Sequence, residues 1–233
     1  MHSIAIVARS SSAATRILWS ARSSSRNANG AESSVQFKLD LPQKLKPLIL
    51  ASASERRRDL LRTMGLSFRV QAPQIVEELV GTDLRQALID LALRKAESVA
   101  ASIDRGTILG ADTVVEIEGR ILGKPRDEAD AREMLERLSG ALHRVHSAVA
   151  LLHRPSDRVV TGFESTQVWF REISRREVDD YLGSGEPLGK AGAYAIQGLA
   201  GDFVRRITGS KDNVIGLPRR TLAQLFKELE RRL

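Results

Sequence analysis

The sequence predicts an α/β protein, a mixed sheet flanked by helices, and three observations carry that prediction. From Pro47 onward, short apolar runs suited to buried strands alternate with longer segments whose apolar residues recur at three- and four-residue spacing. The first run, Leu48-Ile49-Leu50-Ala51, passes directly into helix-start residues, the strand-to-helix junction such folds use. At 233 residues, 42% of them hydrophobic, the chain is long enough to bury one sizeable core, or two small lobes sharing a cleft, without crosslinks.

Residues 1–46 stand apart from this pattern. Arg9, Arg16, Arg22 and Arg26 lie among many Ser and Ala, and the first acid is Glu32. Such a composition cannot build a packed core and predicts a disordered basic extension. It has the Arg-rich, Ser-rich, acid-poor character of an organellar transit peptide, and a start codon assigned too far upstream would look the same. The favoured location is cytoplasmic, with an organelle as the alternative if the extension is a cleaved transit peptide.

Residues 47–233 form the predicted domain. After the strand at Leu48–Ala51, Ser52 with Glu55 three residues on reads as a capping box. Leu60, Leu61 and Met64 recur at helical spacing, and Gly65 stops the helix. A strand is expected at Phe68–Val70. A long helix follows from about Asp83 to Ser102, with Leu84, Leu88, Leu91, Ala92 and Val99 on one face and Lys95 within that apolar stripe. Thr107–Ala111 reads as a buried strand ending at Asp112, and Val114–Leu122 as a hairpin turning at Glu118-Gly119. A helix over Glu128–Leu138 ends at Gly140. Val145–Leu152 and Val159–Phe170 are strand-like, Ser174 with Glu177 opens a further capped helix, and the last helix starts near Pro218.

Composition removes several function classes. There is no cysteine, so disulfides, thiolate metal sites and cysteine nucleophiles are excluded, and any metal must sit on oxygen or nitrogen. The net charge of +7 points at first to nucleic acid. However, residues 1–46 hold seven Lys and Arg against two acids, leaving 29 against 27 in the body, and aromatics for stacking are only 4%. Neither nucleic acid nor a membrane is an expected partner: no run reaches the roughly 18–20 apolar residues of a membrane span.

The charged groups gather at predicted element ends. The turn after the first strand offers free helix N–H groups together with Arg56 and Arg57, and such turns attract anions. Gly110-Ala111-Asp112, Gly123-Lys124-Pro125 and Lys190-Ala191-Gly192 each place a charge beside glycine, where backbone approaches closely and α/β sheets bind ligands. Cations and carboxylates in one crevice suit a metal-bound polyphosphate. Singly, each has an ordinary reading: Asp112 as a loop or cap residue, Lys95 snorkelling, Glu77-Glu78 a solvated pair, Arg56-Arg57-Arg58 a solvated helix face. His143, His146 and His153 lack metal-ligand spacing and read as core or surface. Neither a P-loop nor a nucleophile elbow is present.

Taken in order, these segments resemble the Maf nucleotide pyrophosphatases. Leu48 to Ser54 with Glu55-Arg56-Arg57-Arg58 is similar to that family's opening motif. Glu77, Arg94-Lys95-Ala96, Gly110 to Val115, Gly123-Lys124-Pro125, Leu138-Ser139-Gly140 with His143, Glu186-Pro187 through Lys190 to Gly198, and Gly216-Leu217-Pro218 follow at matching spacing. The resemblance covers residues 47–233. It implies a two-lobed α/β fold with a central substrate cleft, and hydrolysis of a nucleoside triphosphate to monophosphate and pyrophosphate with Mg²⁺ or Mn²⁺. Carried over, Asp112 is the general base, and Glu77 with Asp112 holds metal and water. Arg56, Arg57, Lys95, Lys124 and Lys190 grip the triphosphate. Arg56, Thr113 and Gln197 resemble the specificity positions of the branch acting on dTTP and UTP. The resemblance also implies a homodimer, nucleotide-pool housekeeping and a link to cell-division arrest. The alternatives are a pyrophosphatase for 7-methyl-GTP or modified nucleotides, and a non-catalytic nucleotide-binding division regulator. Three positions depart from the family pattern: Glu55 for Pro, Val76 for Asp and Gly189 for Asp.

Overall fold

The computed structural model describes residues 38–233. Seven strands form one mixed sheet: β1 (Leu48–Ala51), β2 (Phe68–Val70), β3 (Gly106–Ile117), β4 (Arg120–Leu122), β5 (Leu142–Arg154), β6 (Arg158–Phe170) and β7 (Val204–Thr208). Their order is β2-β1-β3-β5-β6-β7, with β4 also paired to β3. β1 runs parallel to β2 and β3, and the remaining pairs are antiparallel. Six helices accompany them: α1 (Glu55–Thr63), α2 (Leu84–Ala100), α3 (Glu128–Leu138), α4 (Arg175–Gly183), α5 (Lys211–Ile215) and α6 (Arg219–Arg232). No helix among the described residues is long and apolar enough to cross a membrane.

Strand periodicity decides which residues meet which layer. Along β1 and β3, Ile49, Ala51 and Ile108 face α2, where Ala96 and Val99 cover them, while Val114 packs with Leu88 and Ala92. The alternate residues Leu48, Leu50, Leu109 and Ala111 turn to the opposite face and join a larger cluster with Leu61, Leu135, Leu222 and Phe226. Gly110 falls on the α2 side, where a Cβ would stand 2.0 Å from the Ala92 carbonyl oxygen, so only glycine lets α2 lie this close.

Two local expectations change. The helix after β1 is capped by Ser54, whose hydroxyl accepts from the Arg57 N–H at 3.4 Å. Ser52 does not form a capping box with Glu55: its hydroxyl accepts instead from the Ser54 N–H and from the Arg57 guanidinium. Nor does a strand end at Asp112. β3 runs on to Ile117 because β5 pairs with it without a break from Gly106 opposite Arg154 to Glu116 opposite Arg144. The polar pair Asp112-Thr113 interrupts the apolar run but not the backbone ladder. β7 and α5 were not expected from the sequence. Of residues 1–46, those before 38 lie outside the described residues. Leu41 and Leu45 are buried against the body, so the packed unit begins before Pro47.

The pairing of β3 also makes an opening. On one side β5 follows it throughout, whereas on the other β1 stops at Ala51 opposite Gly110 and β4 begins only at Leu122 opposite Val115. Residues 111–114 therefore lie in a gap between two partner strands. The chain leaves β1 at this gap to start α1, and a crevice opens at the carboxyl end of β1, where α/β sheets place ligands.

Candidate active site

The crevice is a cleft of about 400 Å³ whose walls come from the α1 start, the β3 gap, the loop before α2, the loop after β4, the 189–194 segment and α5. Its volume lies within the range of small-molecule sites. Because successive strand residues point to opposite faces, Asp112 projects to the α2 side and Thr113 to the other, and the missing strand partner lets both reach the cleft.

On the α2 side the charges are tightly paired. Lys95, from the buried face of α2, donates to Asp112 Oδ1 at 2.5 Å and lies 2.8 Å from Glu77 Oε1. Its side chain is 4% exposed, so the ammonium does not snorkel to solvent. Lys124, half exposed, reaches Glu77 Oε2 at 3.2 Å. Burial raises the Glu77 carboxyl, but the charge and hydrogen bond of Lys95, and then those of Lys124, outweigh it and hold the group at about 2. Glu77 and Asp112 are thus brought onto one ammonium group, and their side-chain oxygens are the donors a hard divalent cation requires. No group of three or more His, Asp or Glu able to hold a metal occurs among the described residues.

On the other face Arg57 is 8% exposed and its guanidinium is committed to protein partners. Nε donates to the Gly216 carbonyl at 2.9 Å, one Nη to Ser52 Oγ at 3.1 Å and the other to Thr113 Oγ1 at 3.1 Å. Thr113 Oγ1 in turn lies 2.9 Å from Ser147 Oγ, which donates to the Asn213 carbonyl. Arg57, expected among the triphosphate contacts, thus ties α1, β1, β3 and α5 together and also lines the cleft. Lys95, expected among the same contacts, binds Asp112 and Glu77 and is not part of the cleft lining.

Arg56 and Lys190 form the remaining cationic wall. Burial first, and then Arg57, lowers the Arg56 pKa; burial and then Arg56 lowers that of Lys190. Mutually repelling, partly desolvated cations of this kind gain from an intervening anion. Gly192, at φ 67°, packs its Cα side on Val115, where a Cβ would meet Cγ2 at 2.8 Å; that close approach brings Lys190 and Tyr194 to the cleft. The Tyr194 hydroxyl is 2.9 Å from His143 Nε2, and burial pushes His143 down to about 4, so this histidine is a neutral core partner. Of the three specificity positions, Arg56 and Thr113 line the cleft, while Gln197 is exposed and lies outside its lining. The departures are placed as follows: Glu55 lines the cleft mouth with Arg58 3.5 Å away, Val76 is 63% exposed, and Gly189 adopts φ 74°.

Sequence reasoning passed over Tyr194, Ser147 and Asn213. The first lay inside the quoted Lys190 to Gly198 segment without a role. The other two carry no local signal, because their place depends on how β5 and α5 meet β3.

Comparison with known proteins identifies the family. The family model described as Maf-like protein matches residues 47–229. The dTTP/UTP pyrophosphatase of Pelotomaculum thermopropionicum is 41% identical over 79% of this chain and 97% of its own length. That of Carboxydothermus hydrogenoformans is 43% identical over 78% and 96%, and that of Bacillus cytotoxicus 44% identical over 80% and 95%. The solved structure of the Staphylococcus aureus Ham1 protein overlays more loosely, with a TM-score of 0.42 at 14% identity over 80% of this chain and 99% of that one. With the family model spanning the body and relatives this similar over nearly their whole length, the chain belongs to the Maf-like protein family.

Proposed function

We propose that this protein hydrolyses nucleoside triphosphates, dTTP and UTP before others, to the monophosphate and pyrophosphate. The observation that carries the reading is Asp112, an anchored carboxylate in a cleft also lined by Glu55, Arg56, Arg57, Glu77, Lys124 and Lys190. The names of the similar proteins support the choice of pyrimidine nucleotides.

The chain's own residues have distinct tasks. Asp112, with Oδ1 fixed by Lys95, takes the proton from the attacking water as general base. The helix start at Ser54–Arg57, with Arg56, Lys124 and Lys190, binds phosphate oxygens and meets the charge that develops as the α–β phosphoanhydride breaks. Lys124 is free to swing from Glu77 to phosphate because it is half exposed. Glu77 and Asp112 would hold Mg²⁺ or Mn²⁺, and that ion, when bound, supplies Lewis acidity toward phosphate oxygens and water. Thr113, Val115, Val145 and Tyr194 form a smaller, less charged part of the lining suited to a pyrimidine base. We further place the protein in the cytoplasm as a homodimer, the reading the family resemblance favours.

The test is pyrophosphate release from dTTP, UTP, CTP, GTP and 7-methyl-GTP, with and without Mg²⁺ or Mn²⁺. Wild type should release pyrophosphate from dTTP and UTP only with metal, and Asp112→Asn should lose roughly 10²- to 10⁴-fold in kcat. Unchanged turnover in Asp112→Asn would sink the mechanism, and no release from any nucleotide would sink the function.

A further inference from the structure

Lys95 occupies an unusual position for a residue of a phosphate-binding site. It rises from the middle of α2, and its stem is enclosed by the apolar face that buries Leu91, Ala92, Ala96 and Val99. Its ammonium sits between Asp112 Oδ1 and Glu77 Oε1, at 2.5 and 2.8 Å, where one side of a divalent cation's coordination shell would otherwise lie. With Lys124 on Glu77 Oε2, the two carboxylates are matched by two ammonium groups, and the buried Arg57 guanidinium adds a further positive charge that acts on both. A free divalent cation entering this site gains no net attraction and meets a buried positive charge that cannot withdraw to solvent. The two counter-ions differ in freedom: Lys124 is 51% exposed, while Lys95 is 4% exposed. An arriving triphosphate can draw Lys124 away, free Glu77 Oε2 and add its own negative charge. Mg²⁺ and its relatives favour such mixed sites, built from one or two carboxylates plus phosphate oxygens.

We propose that Lys95 is a positioning residue that acts as a fixed internal counter-ion, keeping the Glu77–Asp112 pair from binding a divalent cation until a nucleotide brings one. The inference rests on the pyrophosphatase reading for its metal. Its consequence is a strict coupling of metal and nucleotide binding, so that the cleft holds no idle metal between turnovers. The charge of Lys95, and not its hydrogen bonds alone, is the feature that matters.

The experiment is titration of nucleotide-free protein with Mn²⁺, followed by the electron paramagnetic resonance signal of the free ion. Wild type and Lys95→Arg should bind Mn²⁺ weakly, whereas Lys95→Met, folded as judged by circular dichroism, should bind it at least about tenfold more tightly. Adding Glu77→Gln to Lys95→Met should abolish the gain, which locates it at the carboxylate pair. Equal affinity in wild type and Lys95→Met overturns the proposal. Should Lys95→Met fail to fold, wild type still decides: tight Mn²⁺ binding without nucleotide, removed by Glu77→Gln, overturns it, and weak binding that Lys95→Gln strengthens supports it. Pyrophosphate release measured alongside separates the two ideas. Activity with equal affinities rejects the counter-ion role alone, and a tenfold gain without any hydrolysis rejects the pyrophosphatase reading alone.

Discussion

Replacing Arg57 by methionine separates a holding role from a gripping one. In the structure the guanidinium makes three hydrogen bonds, to Gly216, Ser52 and Thr113, from a side chain almost without solvent contact. Hydrogen bonds from a charged donor contribute about 1.5–3 kcal/mol each, and a buried acceptor left unpaired costs about 1–3 kcal/mol. The Ser52 and Thr113 hydroxyls can turn to other partners, and removal of the guanidinium recovers its own desolvation cost. A net loss of about 3–5 kcal/mol remains. For a domain of this size each kcal/mol lowers Tm by roughly 2–4 °C, so Arg57→Met should melt roughly 6–20 °C below wild type in a thermal scan followed by circular dichroism. Lysine should not restore the loss, since a point charge cannot span three acceptors held by a planar fork. The neighbouring Arg56→Met provides the contrast, because Arg56 makes no side-chain hydrogen bond among the described residues and faces the cleft. It should raise the KM for dTTP severalfold while leaving Tm within about 2 °C. A Tm for Arg57→Met within 2 °C of wild type, with KM raised as in Arg56→Met, would refute the assignment.

Two further outcomes follow from the packing. Gly110→Ala would drive a Cβ into the Ala92 carbonyl, so α2 must shift away from β3, and a loss of about 3 kcal/mol or more in urea unfolding is expected; a midpoint equal to wild type would mean the layers are looser than they stand. His143 is held near 4 by burial, against 6.5 in its absence, so the unfolded chain binds its proton first as pH falls. The associated stability is whole above about 6.5 and declines toward pH 4. Wild type should therefore lose about 2–3 kcal/mol more than His143→Gln between pH 7 and 4.5, and parallel losses in the two proteins would show that this histidine does not contribute.

Much of the site was legible as a set of residue types. Asp112, Lys124 and Lys190 could be picked out as charges close to glycine, Arg56 by the helix-start turn and Glu77 by the family resemblance, and all five share one cleft. Their partners were not legible. The reading of Ser52 with Glu55 as a capping box failed because Ser54, two residues later, caps the helix instead, a choice of backbone geometry that spacing alone leaves open. β7 was missed because Arg205 and Arg206, exposed on an edge strand, break the apolar alternation that marks a strand.

The sequence by itself determined most of the strands and helices in their order, β7 and α5 apart, with the apolar faces and the identity of the charged groups, because periodicity and turn chemistry are local properties of the chain. The tertiary structure alone decided what those groups do to one another. It set Lys95 beneath two carboxylates rather than toward solvent, spent Arg57 on the fold, and left Gln197 outside the cleft. Those outcomes depend on β5 pairing with β3 past the end of β1, a contact between segments some forty residues apart in sequence, and long-range pairing is what a local pattern does not encode.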